Sequence, residues 1–453
     1  MLRNAWLVPA GLILAVAASY WNALHGAFQF DDYNVIVDYG KVHDWTSWYQ
    51  DLGHGIRPLL KFTYTLNWVS GLDALGFHLF NIGLHFITAL LVYALAARLF
   101  AHGFGNDLRR ARWAALFAAL LFAVHPANTE AITYISGRSM SLMTMFYLAA
   151  LLAYVKGGEE SRKAWLYGAS PLLFVLAVAS KETAITLPFA LLLWEVCRTP
   201  KASLKSILRK QAVHWGVFLA LALVLLFHER YRKLMAFSAG LHSMQENGLT
   251  QLHALTYLLG QMLLPWRMNI DPDLPAIAAW AQIWPDALVW ALLLIVAVLN
   301  LRKRPWLSFG LGWFVLQLFP LNVFLPRLDV MNDRHLYLAG LGVLLPVAAM
   351  VAQAHGKRNA VAAILLLMLA SLTVMRNEVY RSEVALWEDT VRYSPHKARP
   401  YNNLGYAYFL EKRYSEAEQA YLTAIKLQPG YWLAENNLAR LNGIAAREES
   451  MRE

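Results

Sequence analysis

Cysteine is almost missing from this chain. The single one, Cys197, excludes an internal disulfide framework and any cysteine-based metal site. Charge is scarce too: 15% of the 453 residues are charged, against roughly a quarter in an ordinary soluble domain. The sequence has no Gly-rich phosphate loop, zinc motif or nucleotide-binding fingerprint. His54, His78, His85, His214, His228, His242 and His253 lack metal-ligand spacing on one helix face and read as structural. These shortages exclude intrinsic disorder and a conventional cytosolic enzyme. Apolar residues are abundant instead: 58% of the chain is hydrophobic and 13% aromatic, with 17 Trp and 21 Tyr, as in a polytopic membrane protein.

The net charge of +10 resembles a nucleic-acid signature but is distributed otherwise. From Asn377 onward there are 10 Lys/Arg and 11 Asp/Glu, which leaves 30 and 19 in the preceding residues. The positive excess therefore sits in the apolar part, where it sets orientation, and no nucleic-acid partner is expected. Arg3 precedes an apolar run over 5–19, followed by Tyr20, Trp21 and Asn22 and not by a small-residue cleavage site. It reads as a retained signal anchor. Further apolar stretches cover approximately 78–100, 111–126, 139–156, 163–180, 183–198, 211–228, 286–301, 305–323, 335–354 and 359–376. With the first, these make about eleven spans. Residues 252–266 are ambiguous, because a span there would place Arg302, Lys303 and Arg304 outside. An interfacial or re-entrant helix fits better. With eleven spans, the basic loops around Arg109, Arg162, Arg198, Arg302 and Arg358 all fall on the cytoplasmic side. The loops 25–77, 125–138, 180–183, 229–285 and 324–335 are then external, and so is the tail.

The expected architecture is all-α: a transmembrane domain over 1–376 with a long first external loop at 25–77, then a helical-repeat domain over 377–453. With Tyr401 at the first signature position, Leu404, Gly405, Tyr408, Ala417, Tyr421, Ala424 and Pro429 meet the tetratricopeptide pattern. Pro395 precedes Pro429, and Trp387 precedes Tyr421, by one 34-residue period. The first helix of the repeat would present Asn402, Asn403 and Tyr406 toward an acceptor; a purely structural role for them stays open.

Four segments far apart in sequence place ionisable groups on the external face. They are Asp31-Asp32; His125-Pro126 with Glu130 and Arg138; Lys181-Glu182 in a short hairpin; and Asp329, Asp333, Arg334 and His335. Charge at membrane depth costs roughly 2.5–3.5 kcal/mol or more. Taken singly, each group reads equally well as an interfacial charge reaching into the headgroups. Gathered on one face, they read as a site. An acidic group can take a proton from a hydroxyl nucleophile. Arg138, Lys181 and Arg334 can stabilise the charge that develops on a departing phosphate. A phosphate tethered to lipid would arrive at this depth.

These segments resemble the transmembrane-and-tetratricopeptide-repeat O-mannosyltransferases of the GT-C glycosyltransferase fold, and their bacterial relatives. The resemblance lies in Phe30-Asp31-Asp32, in Arg57-Pro58-Leu59 with Leu66-Asn67, and in Phe77-His78-Leu79-Phe80-Asn81 with His85. It continues in the segment from His125 to Ala131 with Gly137-Arg138, in Ser180-Lys181-Glu182-Thr183, and in Asp333-Arg334-His335-Leu336-Tyr337-Leu338. It implies a polyprenyl-phosphate sugar donor, an exported protein acceptor, and inverting transfer with Asp31 as base. Asp32 would then orient the acceptor or, with Asp31, hold a divalent cation if one is used. The donor phosphate and sugar would be bound by Arg57, Glu130, Arg138, Lys181, Glu182, Arg334, His335 and Tyr337. The implied location is a bacterial inner membrane, with the site on the periplasmic side. The family's eukaryotic members carry many repeats, whereas this chain has about two, and the motifs do not fix the sugar. The competing readings are transfer to a lipid or glycan acceptor, a non-enzymatic scaffold recruiting partners through its repeats, and a transporter. A transporter calls for polar residues near span centres. The aromatics Trp45, Trp48, Tyr49, Tyr64 and Trp68 read as an interfacial belt or as sugar-stacking faces.

Overall fold

The computed structural model describes residues 6–105, 107–241, 243–324, 329–354 and 356–450, and no strand occurs among them. Each apolar stretch becomes helix. The first is α1 (Leu7–Tyr20), and the loop 25–77 carries α2 (Trp45–Asp51) and α3 (Pro58–Val69). Next come α4 (Asp73–Gly103), α5 (Leu108–Val124), a single turn α6 (Thr129–Ile132) and α7 (Arg138–Glu159). The hairpin at Lys181 joins α8 (Ser170–Ser180) to α9 (Leu187–Arg198). After it follow α10 (Leu204–Lys210), α11 (Ala212–Phe227), α12 (Glu229–Ala239), α13 (Met244–Leu263), α14 (Trp280–Leu299) and α15 (Pro305–Phe324). Then come the short α16 (Leu336–Ala339), α17 (Leu341–Ala352) and α18 (Arg358–Val379). The tail holds α19 (Glu383–Tyr393), α20 (Ala398–Leu410), α21 (Tyr414–Leu427) and α22 (Trp432–Ser450).

Among the described residues, five helices are long and apolar enough to cross a bilayer, and up to eight if each bent pair forms one span. The bent pairs are Leu108–Val124 with Pro126–Ile132, Leu204–Lys210 with Ala212–Phe227, and Asp333–Ala339 with Leu341–Ala352. Length and apolarity alone thus mark fewer spans than the eleven stretches. The Lys181 hairpin is built of helices shorter than a bilayer core. Of the ambiguous 252–266 run, residues up to Leu263 belong to α13, which packs on α14 and α15. The α13 residue Asn247 donates to the carbonyl of Asn322 (2.9 Å).

The core forms around α5. Its Ala111, Ala114, Ala115, Ala118, Ala119 and Ala123 are buried, so α1, α4, α17 and α18 pack against it, as small residues permit in a membrane bundle. First and last spans are tied by amides: Asn377 donates to the carbonyl of Ser19 (2.8 Å) and to Asn22 Oδ1 (2.9 Å). Asn22 donates back to Glu378 (2.6 Å). The tail does not stand apart. An apolar cluster joins Tyr134 and Ile270, in the turns after α6 and α13, to Val384, Leu386, Trp387 and Leu404, with Phe30 packed on it.

Candidate active site

The loop after α1 is held from several sides. His78 Nε2 contacts the Gly26 carbonyl (3.1 Å), and Gln29 donates to the Tyr380 carbonyl (2.5 Å). Phe30 takes a left-handed backbone (φ 47°), an unfavourable state for a bulky residue. Its N–H is received by Glu383 (2.6 Å), and its ring meets Trp387 edge-on at 5.0 Å. Asp31 follows, its N–H donating to the Tyr134 hydroxyl (2.9 Å).

Asp31 lines a cavity of about 240 Å³. Five cations line the same space: Arg57, Lys61, Lys181, Arg230 and Arg334. Asn34, Tyr39, Tyr64, Ser136 and Ser139 complete its polar wall, and Val35, Ile56 and Leu60 its apolar one. Arg57 caps α3 in a left-handed conformation (φ 57°) and forks onto Glu182 at 2.7 and 2.9 Å. Burial works against the Glu182 charge, but Arg57 outweighs it and holds the carboxyl down to about 2. Glu130 accepts the Arg334 backbone N–H (2.8 Å) and lies 3.6 Å from its guanidinium as an ion pair. Lys61 pairs with Asp51 and Tyr39.

The structure thus brings Asp31, Arg57, Lys181 and Arg334 together, with Glu182 and Glu130 fastening two of the cations. Other expected residues lie elsewhere. Asp32 is fully buried and lines neither this cavity nor a smaller one beside it. Its oxygens accept from the backbone of Gln29 (3.0 Å) and Ser136 (2.8 Å). Burial pushes its carboxyl up to about 7 against those two donors. Asp32 therefore pins the loop to the turn Ile135–Gly137. The Asp31-Asp32 pair does not fit a shared cation, since Asp32 lines neither of the two spaces that Asp31 lines. No group of three or more His, Cys, Asp or Glu among the described residues is arranged to hold a metal.

Arg138 is also turned away from the cavity. It bonds Asn81 Oδ1 (2.6 Å) and the carbonyls of Thr63 (3.1 Å) and Phe77 (3.0 Å), under the rings of Tyr64, Phe77 and Phe80. Its fork locks α3, α4 and α7 together, and Arg138 is not among the residues lining the cavity. Gly137 permits this turn: a Cβ there would lie 2.1 Å from the Glu130 carbonyl oxygen. Tyr337 bonds His85 in the core (2.9 Å). His335 lines a separate small pocket with Met140 and Gln317. In the tail, Asn402 is buried and accepts from Asn437 (3.0 Å), while Tyr406 is exposed and stacked on Phe409. Asn403 is half-buried.

Sequence reasoning missed Tyr134, Arg230 and Arg399. The cluster Glu229-Arg230-Tyr231-Arg232-Lys233 was the one available signal for Arg230. Arg399 belongs to the tail, yet lines the smaller pocket with Asp31, Glu130, Asp329 and Arg334.

A tetratricopeptide repeat family matches residues 398–431. Across the whole chain, a protein O-mannosyl-transferase of Caenorhabditis elegans is 28% identical over 91% of this chain and 61% of its own length. Human TMTC3, also a protein O-mannosyl-transferase, is 25% identical over 97% of this chain and 54% of its own. For human TMTC4, of the same description, the figures are 28%, 88% and 63%. The chain is a relative of the protein O-mannosyl-transferases. It spans between about half and two thirds of the length of these relatives. The resemblance carried by the Phe30-Asp31-Asp32 and Lys181-Glu182 segments is therefore matched by similarity along nearly the whole chain.

Proposed function

We propose that this transferase relative is a glycosyltransferase moving a sugar from a polyprenyl-phosphate donor to a Ser or Thr hydroxyl of an exported protein. The observation that carries this reading is the single cavity in which Asp31 faces Arg57, Lys181, Arg230 and Arg334. The acceptor oxygen attacks the anomeric carbon while the Asp31 carboxylate takes its proton. The bond from that carbon to the phosphate oxygen breaks, and the lipid phosphate leaves with one more negative charge. Arg57 is already oriented by its fork onto Glu182, so its stabilisation of that charge needs no rearrangement, and Arg334 adds a second cation beside Glu130. One direct displacement inverts the anomeric configuration. Asp31 lies where the cationic cavity meets the smaller pocket beneath the repeats. The donor phosphate fits the first and the acceptor approaches from the second. The site faces the external, periplasmic side, consistent with the basic loops at the other end of the bundle.

The test is mass spectrometry of exported proteins from cells with and without this chain. Ser/Thr-linked hexose on a subset of peptides should vanish in its absence and return with the wild-type chain. Identical glycopeptide profiles would overturn the proposal.

A further inference from the structure

Arg399 opens α20, in the tail, yet its guanidinium reaches the bundle. It lies 2.5 Å from Asp329 Oδ1 and 2.5 Å from Asp271 Oδ1, and its Nε donates to Asp271 Oδ2 at 2.7 Å. Asp271, from the loop before α14, is buried and also receives Lys397. Asp271 thus holds the arginine and Asp329 is what it reaches. Asp329 in turn borders the small pocket that Asp31 lines.

Resting on the glycosyltransferase reading, we propose that Arg399 is a positioning residue of the active site: it neutralises Asp329 beside Asp31, so the tetratricopeptide tail carries part of the catalytic apparatus. Two carboxylates sharing a small, poorly hydrated space resist being ionised together, and one of them takes up a proton. A general base that takes up a proton is lost. Arg399 places a fixed positive charge on Asp329, which leaves Asp31 free to ionise. A lysine would supply the charge without the fork that spans Asp271 and Asp329.

The other charges around Asp31 do not duplicate this. On its own segment lies Asp32. From the bundle face Arg334, steadied by Glu130, and Tyr134. On the cavity side are Arg57, Lys61, Lys181 and Arg230, of which Arg57 and Lys61 already hold carboxylates. Among the ion pairs of the described residues, Arg399 is the partner of Asp329. Consistently, burial raises the Asp31 carboxyl, Arg334 lowers it, Asp329 raises it and Arg399 lowers it. At Asp329 itself burial is outweighed by Arg399, and its carboxyl is held below the usual range.

The experiment uses the full chain in liposomes, with a short-chain polyprenyl-phosphate mannose and a Ser/Thr-containing peptide, across a pH series. The protonated-carboxyl infrared band of Asp31, isolated by difference against Asp31→Asn, is followed in parallel. Arg399→Gln should move the acid limb of kcat and the infrared titration up by at least about 0.5 pH unit, a roughly threefold rate loss on that limb. Adding Asp329→Asn should bring both back, because the unpaired charge is then removed. Arg399→Lys should lie between Arg399→Gln and wild type. Arg413→Gln, which removes a tail cation paired with Glu411 and Glu416, should leave both in place. An unmoved titration in Arg399→Gln, or one that Asp329→Asn does not reverse, would overturn the proposal. Absence of transfer by the wild-type chain would count against the glycosyltransferase reading alone, since the infrared titration still reads the effect of Arg399.

Discussion

Asp31 and Arg57 face one another from strained backbone. Phe30 and Arg57 both hold left-handed conformations without being glycine, a state that costs about 1–3 kcal/mol each and persists where surroundings over-determine it. Glu383 and Glu182 supply that constraint, one to the Phe30 N–H and one to the Arg57 fork. The strain aims two side chains into the cavity. If Asp31 is the base, Asp31→Asn preserves size and removes basicity, so transfer should fall by about 10²–10⁴ while protein level and donor binding persist. The wild-type pH profile carries a second sign. Burial holds the Asp31 carboxyl above the ordinary range, and the base acts only when ionised. Activity should therefore disappear as pH falls through a value above the roughly 3.9 of a free aspartate. Near-normal transfer by Asp31→Asn would remove the assignment. Arg138 shows where residue-level reading failed: Gly137-Arg138 announces a cation near the membrane edge, but not which side of α7 it leaves. Its fork went to the Thr63 and Phe77 carbonyls, partners that sequence pattern does not mark.

Among the elements, α15 and α17 cross closely. A Cβ on Gly310 would lie 2.5 Å from the Gly342 carbonyl oxygen, and one on Gly342 would lie 2.5 Å from that of Gly310. On α15, Trp313 then reaches the start of the same bent pair, donating to the Leu338 carbonyl of α16 (2.8 Å). Gly342→Ala should destabilise the protein by about 1–3 kcal/mol through overpacking. Gly83→Ala, where an added Cβ meets nothing within 4 Å, should leave stability unchanged or raise it slightly. Thermal unfolding in detergent separates the two, and equal melting of both variants would contradict the tight crossing. Helix positions were legible because each apolar stretch carries its own signal. The breaks at His125 and Gly340 were less so: α5 with α6, and α16 with α17, turn through 55° at each. These bends follow from local caps and turns, which length and apolarity do not report.

At the scale of the molecule, the tail and the loop 25–77 must share a side, because Phe30 packs on Trp387 and Arg399 pairs with Asp329. This contact is independent of the loop-charge argument and agrees with it. In a chain with Cys197 replaced by serine, Lys41→Cys and Ser415→Cys should react with an impermeant thiol reagent in intact cells, and Arg109→Cys only after lysis. Different sidedness for Lys41→Cys and Ser415→Cys would contradict the docked tail. The sequence made the helical class, the repeat and the gathering of Asp31, Lys181 and Arg334 legible, since each rests on local pattern or charge count. The contribution of Arg399 was not legible, because nothing local to Ala398-Arg399-Pro400 indicates Asp329 or Asp271. The amides joining α1 to α18 bear on time as well as space. A ribosome working at roughly 5–20 residues per second delivers Asn377 and Arg399 on the order of 20–70 s after Asp31. During that interval the loop holding Asp31 has neither Glu383 nor Trp387 to brace it. A nascent chain thus lacks the contacts of Glu383, Trp387 and Arg399 around the Asp31 loop until its tail arrives.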